Sequence, residues 1–178
     1  MAHSIIKGYE WLFMSQGGST HFYWLIAQLP KSEFTNFVRR AAAGDAAAAA
    51  AAWGESLGHL LGSKRGRLVF EDFLRTEYSE ENLLFWLACE DYKKLTSEAE
   101  ILTIAQQIYA EFVQVDAARQ INIDCMTRED ISRNICQPST NSFDKAQKVI
   151  YGLMEKDCYP RFLKSELFQD LLQQSEQR

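Results

Sequence analysis

From Trp53 onward apolar residues recur every three or four positions, and serine, glycine or proline separates the runs. Trp53, Leu57, Leu60 and Leu61 share a helical spacing stopped at Gly62, and Leu68, Phe70, Phe73 and Leu74 mark a second short helix. Ser79 is placed as an N-cap with Glu80 and Glu81 in the first turn, opening a helix that is apolar on nearly every side and runs to about Lys94. A helix of that kind belongs inside a bundle. Ser97-Glu-Ala-Glu100 has the spacing of a capping box, and Ile101, Ala105, Ile108, Tyr109 and Phe112 follow at helical intervals. Asp124 or Thr127 can cap a helix that ends near Ile135, before Pro138, and Ser142 can cap Phe143–Lys156. Tyr159-Pro160 argues for a break, and Ser165 for the cap of a last helix carrying Leu167, Phe168, Leu171 and Leu172. No segment alternates with period two over a strand's length. The predicted fold is all-α, with about eight or nine helices across residues 53–173.

Residues 1–52 follow another pattern. Trp11, Phe13, Phe22, Tyr23 and Trp24 show no clear period, breaks fall at Gly17-Gly18 and Pro30, and Ala41–Ala52 is an alanine tract interrupted by Gly44-Asp45. Alanine favours helix but buries little, so the tract is read as a low-complexity linker and residues 1–52 as a poorly ordered extension. Residues 174–178 are read as a short tail.

Composition narrows the classes further. Apolar content of 47% and charged content of 24% are those of a soluble globular chain. The net charge of −5 lies in the helical part, because residues 1–52 are nearly balanced, and it argues against nucleic acid as a partner. Cys89, Cys125, Cys136 and Cys158 have no CxxC spacing and no histidine three to five residues away, which argues against a zinc site or a disulfide framework. The start of the chain lacks the pattern of a signal peptide, and the longest apolar stretch, near Phe22–Leu29, is far short of a membrane span.

Candidate enzyme chemistry is thin. His3 and His21 fall in the extension, His59 is expected to be structural, and Gly62-Ser-Lys-Arg-Gly66 lacks the lysine position of a phosphate loop. Lys64-Arg65-Gly66-Arg67 is expected to be a solvated basic loop. Three polar groups stand out: Glu77-Tyr-Ser-Glu-Glu-Asn82 before the apolar helix, Asn122 between Ile121 and Ile123, and Asp157-Cys-Tyr-Pro-Arg161 with opposite charges four apart. Each lies at a predicted helix end, where a bundle can gather distant loops on one pole.

The stretches Ser79-Glu-Glu-Asn-Leu-Leu-Phe-Trp-Leu-Ala-Cys-Glu90 and Met154-Glu-Lys-Asp-Cys-Tyr-Pro-Arg-Phe-Leu163 resemble the regulator of G-protein signalling (RGS) domain, with Asn122–Asn134 matching between them. The resemblance covers about residues 53–173 and is nearest to small members with little beyond this domain. It implies a bundle of about nine helices that binds the GTP-bound α subunit of a heterotrimeric G protein and speeds its GTP hydrolysis, attenuating receptor signalling. The implied contacts to Gα are Glu77, Tyr78, Ser79, Glu81 and Asn82 from one loop, Asn122 from a second, and Leu153, Asp157, Cys158 and Arg161 from a third. Gα carries its own arginine and water-orienting glutamine, so no cofactor, metal or catalytic side chain is expected of this chain. Asn122 is the side chain expected to approach the partner's active site, and Arg161 is expected to brace Asp157 or the acidic loop. The resemblance further implies a monomer acting on the inhibitory Gα class, with Gq as a second target, in the cytoplasm or peripherally at the inner face of the plasma membrane. Cys158 stands where the family usually has serine, and residues 1–52 carry neither a cysteine string nor a basic amphipathic helix for membrane attachment. The alternative reading is a scaffold that keeps the fold without activating, which would be expected to lack Asn82, Asn122 and Asp157.

Overall fold

The computed structural model describes residues 46–176, and these residues form helices and connecting turns. In chain order the α-helices are α1 (Ala46–Trp53), α2 (Leu57–Gly62), α3 (Lys64–Thr76), α4 (Glu81–Tyr92), α5 (Glu98–Ile108), α6 (Cys125–Asn134), α7 (Asp144–Leu153), α8 (Tyr159–Lys164) and α9 (Glu166–Glu176). Two π-helical turns extend them: Tyr109–Val113 continues α5, and Met154–Cys158 joins α7 to α8.

The helices pack as two lobes. One holds α1, α2, α3, α8 and α9, with α1 lying along α9 and α8 packed on α9. Its aromatic centre is Phe70, Phe73, Phe162 and Phe168, and Phe162 meets Phe70 edge-on at 5.3 Å and Phe168 at 5.0 Å. The second lobe holds α4 to α7 and centres on Phe85, which faces Phe112 at 5.7 Å and Phe143 at 6.3 Å. Phe70, Phe85, Phe143 and Phe162 are essentially fully buried, each contributing roughly 1.5–3 kcal/mol by removing apolar surface from water. The chain crosses between lobes at the α3–α4 turn and again at the π turn between α7 and α8, so both crossings meet along one seam.

Several sequence expectations need correction. The alanine tract is not a linker where it is described: Ala46–Trp53 is a helix, Ala50 is buried, and Trp53 belongs to it rather than to α2. Alanine lacks bulk, and that lets α1 lie close against α9; a chain begun at Trp53 would lose this packing. Tyr159 clamps the same helix by donating from its hydroxyl to the Trp53 carbonyl at 2.7 Å. The basic cluster is the first turn of α3, not a loop, with Ser63 as the N-cap accepting from the Gly66 N–H at 3.1 Å. Glycine is required at 66 by close approach, since a Cβ there would lie 2.4 Å from the Leu60 carbonyl oxygen. Tyr159-Pro160 does not break the chain, because the π turn runs directly into α8 and Pro160 sits where the bonding pattern changes from π to α. Ser97 and Ser142 do not cap their helices through their side chains, whereas Asp124 and Ser165 cap as expected. His59 is exposed and faces Glu55 at 3.3 Å, so it has no core role. The last helix runs to Glu176, past the expected boundary at 173. The aromatic patch of the extension and Gly44-Asp45 lie outside the described residues.

Candidate functional site

The turn that leaves α3 is a helix stop of unusual composition. The Ser79 N–H donates to the Leu74 carbonyl at 3.0 Å and the Tyr78 N–H to the Arg75 carbonyl at 3.3 Å, the pair of bonds that defines a Schellman cap. The residue after the cap must then take a left-handed conformation, and Tyr78 does so with φ of 55°. Glycine normally fills that place, because a side chain there costs about 1 kcal/mol. The Tyr78 side chain points outward, 83% exposed. Ser79 does not cap α4 as predicted; its hydroxyl reaches back to the Leu74 carbonyl at 3.4 Å, and no side chain caps α4. Asn82 closes the turn instead, donating from Nδ2 to the Ser79 carbonyl at 3.1 Å and to Glu81 at 2.9 Å. Asn82 is buried, so it braces the turn from within, and its Oδ1 has no hydrogen-bond partner among the described residues. Glu81 is half-buried, and that burial raises its carboxyl above the usual range against the bonds from its backbone and Asn82.

Arg161 fastens this turn to the second crossing. A single Glu77 oxygen accepts from Arg161 Nε at 2.9 Å and Nη2 at 2.6 Å, while Nη1 pairs with Asp157. Glu77, followed by Asp157, holds the guanidinium charged at every accessible pH. The three side chains are 29%, 60% and 44% exposed for Glu77, Asp157 and Arg161, so the triad faces solvent. Leu153 ends α7 half-buried just before the π turn. Cys158 differs from its neighbours: it is 1% exposed, burial raises its thiol, and its side chain packs inward rather than toward a partner.

Asn122 is placed by alternation in an extended segment. Ile121 and Ile123 are buried at 0% and 7%, so the residue between them faces out and is exposed. The Ile121 N–H donates to the Phe112 carbonyl at 2.9 Å, and the Phe112 ring packs at a tilt against Phe85, one turn beyond Asn82. Asp124 ends the segment as the α6 cap, and its bonds from Thr127 lower its carboxyl. The structure thus joins Glu77, Asp157 and Arg161 directly, ties Ser79, Glu81 and Asn82 into the same turn, and links Asn122 to them through the Phe112–Phe85 contact. No hydrogen bond joins Asn122 to the other predicted residues.

Beneath the turn lies a pair the sequence reading passed over. Glu71 is fully buried and accepts from Arg75 at 3.0 Å, and its other oxygen is buried without a hydrogen bond. Burial pushes its carboxyl up to about 7, Arg75 and Arg119 oppose this, and Glu80 and Asp72 add to it. The four-residue spacing of Glu71 and Arg75 was visible, but that spacing ordinarily marks a solvated helix face. Among the described residues no group of three or more His, Cys, Asp or Glu side chains is arranged to hold a metal ion.

The model of the regulator of G protein signaling domain matches residues 56–171. Regulator of G-protein signaling 8 from Mus musculus is 52% identical over 126 residues, covering 71% of this chain and 70% of the relative. Its counterpart from Danio rerio is 47% identical over 124 residues, 70% of this chain and 71% of the relative. Regulator of G-protein signaling 1 from Homo sapiens is 55% identical over 121 residues, 67% of this chain and 57% of the relative. The chain belongs to the regulator of G-protein signaling family. It is accordingly a regulator that binds Gα subunits and activates their GTPase.

Proposed function

We propose that the chain accelerates GTP hydrolysis on Gα by binding the transition-state arrangement of the partner's mobile segments more tightly than their ground state, supplying no acid, base or nucleophile of its own. The observation that carries this reading is the seam of Glu77, Asp157 and Arg161 with the outward Tyr78 beside it, supported by an outward Asn122 amide whose backbone is tied to Phe112, which packs on Phe85. Such a surface discriminates between partner conformations because it does not adapt to them. Asn122 offers a carboxamide donor and acceptor to the partner's glutamine and a nearby backbone group. Glu77, Glu81 and Asp157 face basic or N–H groups, and Arg161 braces the first and last of these carboxylates. Tyr78 supplies apolar contact area; Ser79, Asn82 and Cys158 shape the surface from behind, and Leu153 flanks it. A 100-fold acceleration needs only ~2.7 kcal/mol of preferential binding, which a few hydrogen bonds to charged groups at ~1.5–3 kcal/mol each can supply.

This reading takes the inhibitory Gα class as first target and Gq as second, with the chain acting as a monomer in the cytoplasm or peripherally at the inner face of the plasma membrane, where Gα brings it. No described helix is long and apolar enough to cross a membrane. Single-turnover GTP hydrolysis by a panel of purified Gα subunits, with and without the chain, tests the reading. Acceleration that Asn122→Ala largely abolishes supports it. Tight binding to Gα with no acceleration would leave a scaffold instead.

A further inference from the structure

We infer that Arg128, which lies outside the contact set, is the positioning residue that holds Asn122 in its working orientation. The inference rests on the proposed role of Asn122. Asn122 follows a long turn, from the end of the first π turn at Val113 to Ile121, and that turn could deliver it in many orientations. Arg128 reaches back from the first turns of α6 and donates from Nη1 to the Val113 carbonyl and from Nη2 to the Ile121 carbonyl at 3.3 Å. These carbonyls lie at the two ends of the turn. The Ile121 carbonyl also belongs to the peptide bond that leads into Asn122, so the guanidinium fixes the peptide plane from which the carboxamide is aimed.

The rest of the turn is tied to itself and leaves that plane to Arg128. The Asp116 N–H donates to the Gln120 side chain at 2.8 Å, and the Arg119 N–H to the Glu111 carbonyl at 3.2 Å. Asp116 takes a left-handed φ of 61°, which the Gln120 bond secures. On the far side, Asp124 accepts from the Thr127 N–H and hydroxyl at 2.8 and 2.7 Å. Asn122 is therefore clamped between an arginine fork behind and a helix cap ahead. A planar guanidinium reaches these two carbonyls from separate nitrogens of one rigid fork; a lysine ammonium has donors enough but, as a single point on a flexible stem, does not fix their geometry.

The test uses the full chain with purified Gα in single-turnover hydrolysis, read as maximal acceleration and half-saturating concentration separately. Arg128→Lys should lower the maximal acceleration about tenfold while leaving the half-saturating concentration within about twofold, because aim rather than contact area is lost. Arg128→Gln, shorter and uncharged, should lose at least as much as Arg128→Lys; melting curves identify which variant is folded under assay conditions. In an Asn122→Ala background Arg128→Lys should add nothing, whereas with Asp157→Ala its effect should multiply. An undiminished loss in the Asn122→Ala background would make Arg128 a merely structural residue and overturn the inference. So would an unchanged maximum for Arg128→Lys beside an impaired Asn122→Ala. An Asn122→Ala chain that activates normally would instead overturn the reading of the site itself.

Discussion

The proposed contact groups are held in two different ways. On the side of the α3–α4 turn and α8, the polar groups hold one another: Arg161 bridges Glu77 and Asp157, all three partly exposed. On the Asn122 side the proposed contact is a single amide, held by buried isoleucines, a backbone bond to Phe112 and the Arg128 fork. Exposed ion pairs are screened and individually weak, so the first side suits attraction and register. An amide on a buried support loses its aim only if the backbone moves, so the second side suits discrimination between nearly identical states of the partner. On the proposed reading, the difference would separate binding of the partner from its activation.

Substitutions can break or sharpen that separation. Asn122→Ala should have the largest effect, costing about 2–3 kcal/mol of transition-state stabilisation, or roughly 30- to 150-fold in single-turnover rate, with little change in melting temperature. Next comes Glu71→Gln, read by denaturant titration across pH. Unfolded, Glu71 loses its proton near 4.5; folded, it keeps it until about 7. Between those values the folded chain holds the extra proton, so stability is highest at the acid end and falls as pH rises through the window. Glu71→Gln should flatten that slope and exceed wild type above pH 7 by on the order of 2 kcal/mol. A wild-type profile flat across the window would contradict the assigned burial cost.

Arg161→Lys should be milder. It keeps the charge but loses the double donation to Glu77, weakens Gα binding by about 0.5–1 kcal/mol and leaves its salt dependence near wild type, while the maximal acceleration is unchanged. Equilibrium binding at low and high salt checks this, and a collapse of the maximum would erase the proposed division between the two sides. Tyr78→Gly should have the smallest effect of the four, a slight stabilisation. Glycine accepts the left-handed cap freely, so the melting midpoint should rise by the equivalent of about 0.5 kcal/mol while Gα binding weakens.

These contrasts show where the sequence was informative. Helices with an apolar face and a serine or aspartate before them were visible, as for α6 with Asp124 and α9 with Ser165. Local spacing also marked the outward Asn122, because one polar residue between two isoleucines in an extended segment has only one way to face. The α1 helix was hidden, since a run of alanines shows no apolar stripe and its partner α9 lies more than a hundred residues away. The π turns were hidden too. One extra residue per turn leaves the apolar spacing almost unchanged, so Tyr159-Pro160 read as a break where the chain continues. The roles of Arg128 and Glu71 depend on carbonyls and burial that no local pattern encodes. Cys158 and Asn82 were expected to face a partner, but the fold buries both.

The most direct measurement compares affinities. Titrating the chain against one Gα subunit loaded with GDP, with a non-hydrolysable GTP analogue, and with GDP plus aluminium fluoride as a mimic of the transferring phosphoryl group gives the preference for each state. The account predicts tightest binding to the aluminium fluoride form, by a ratio that Asn122→Ala sharply reduces and Arg161→Lys leaves nearly intact. Equal affinity for the analogue and the mimic, in a chain that still accelerates hydrolysis, would contradict it.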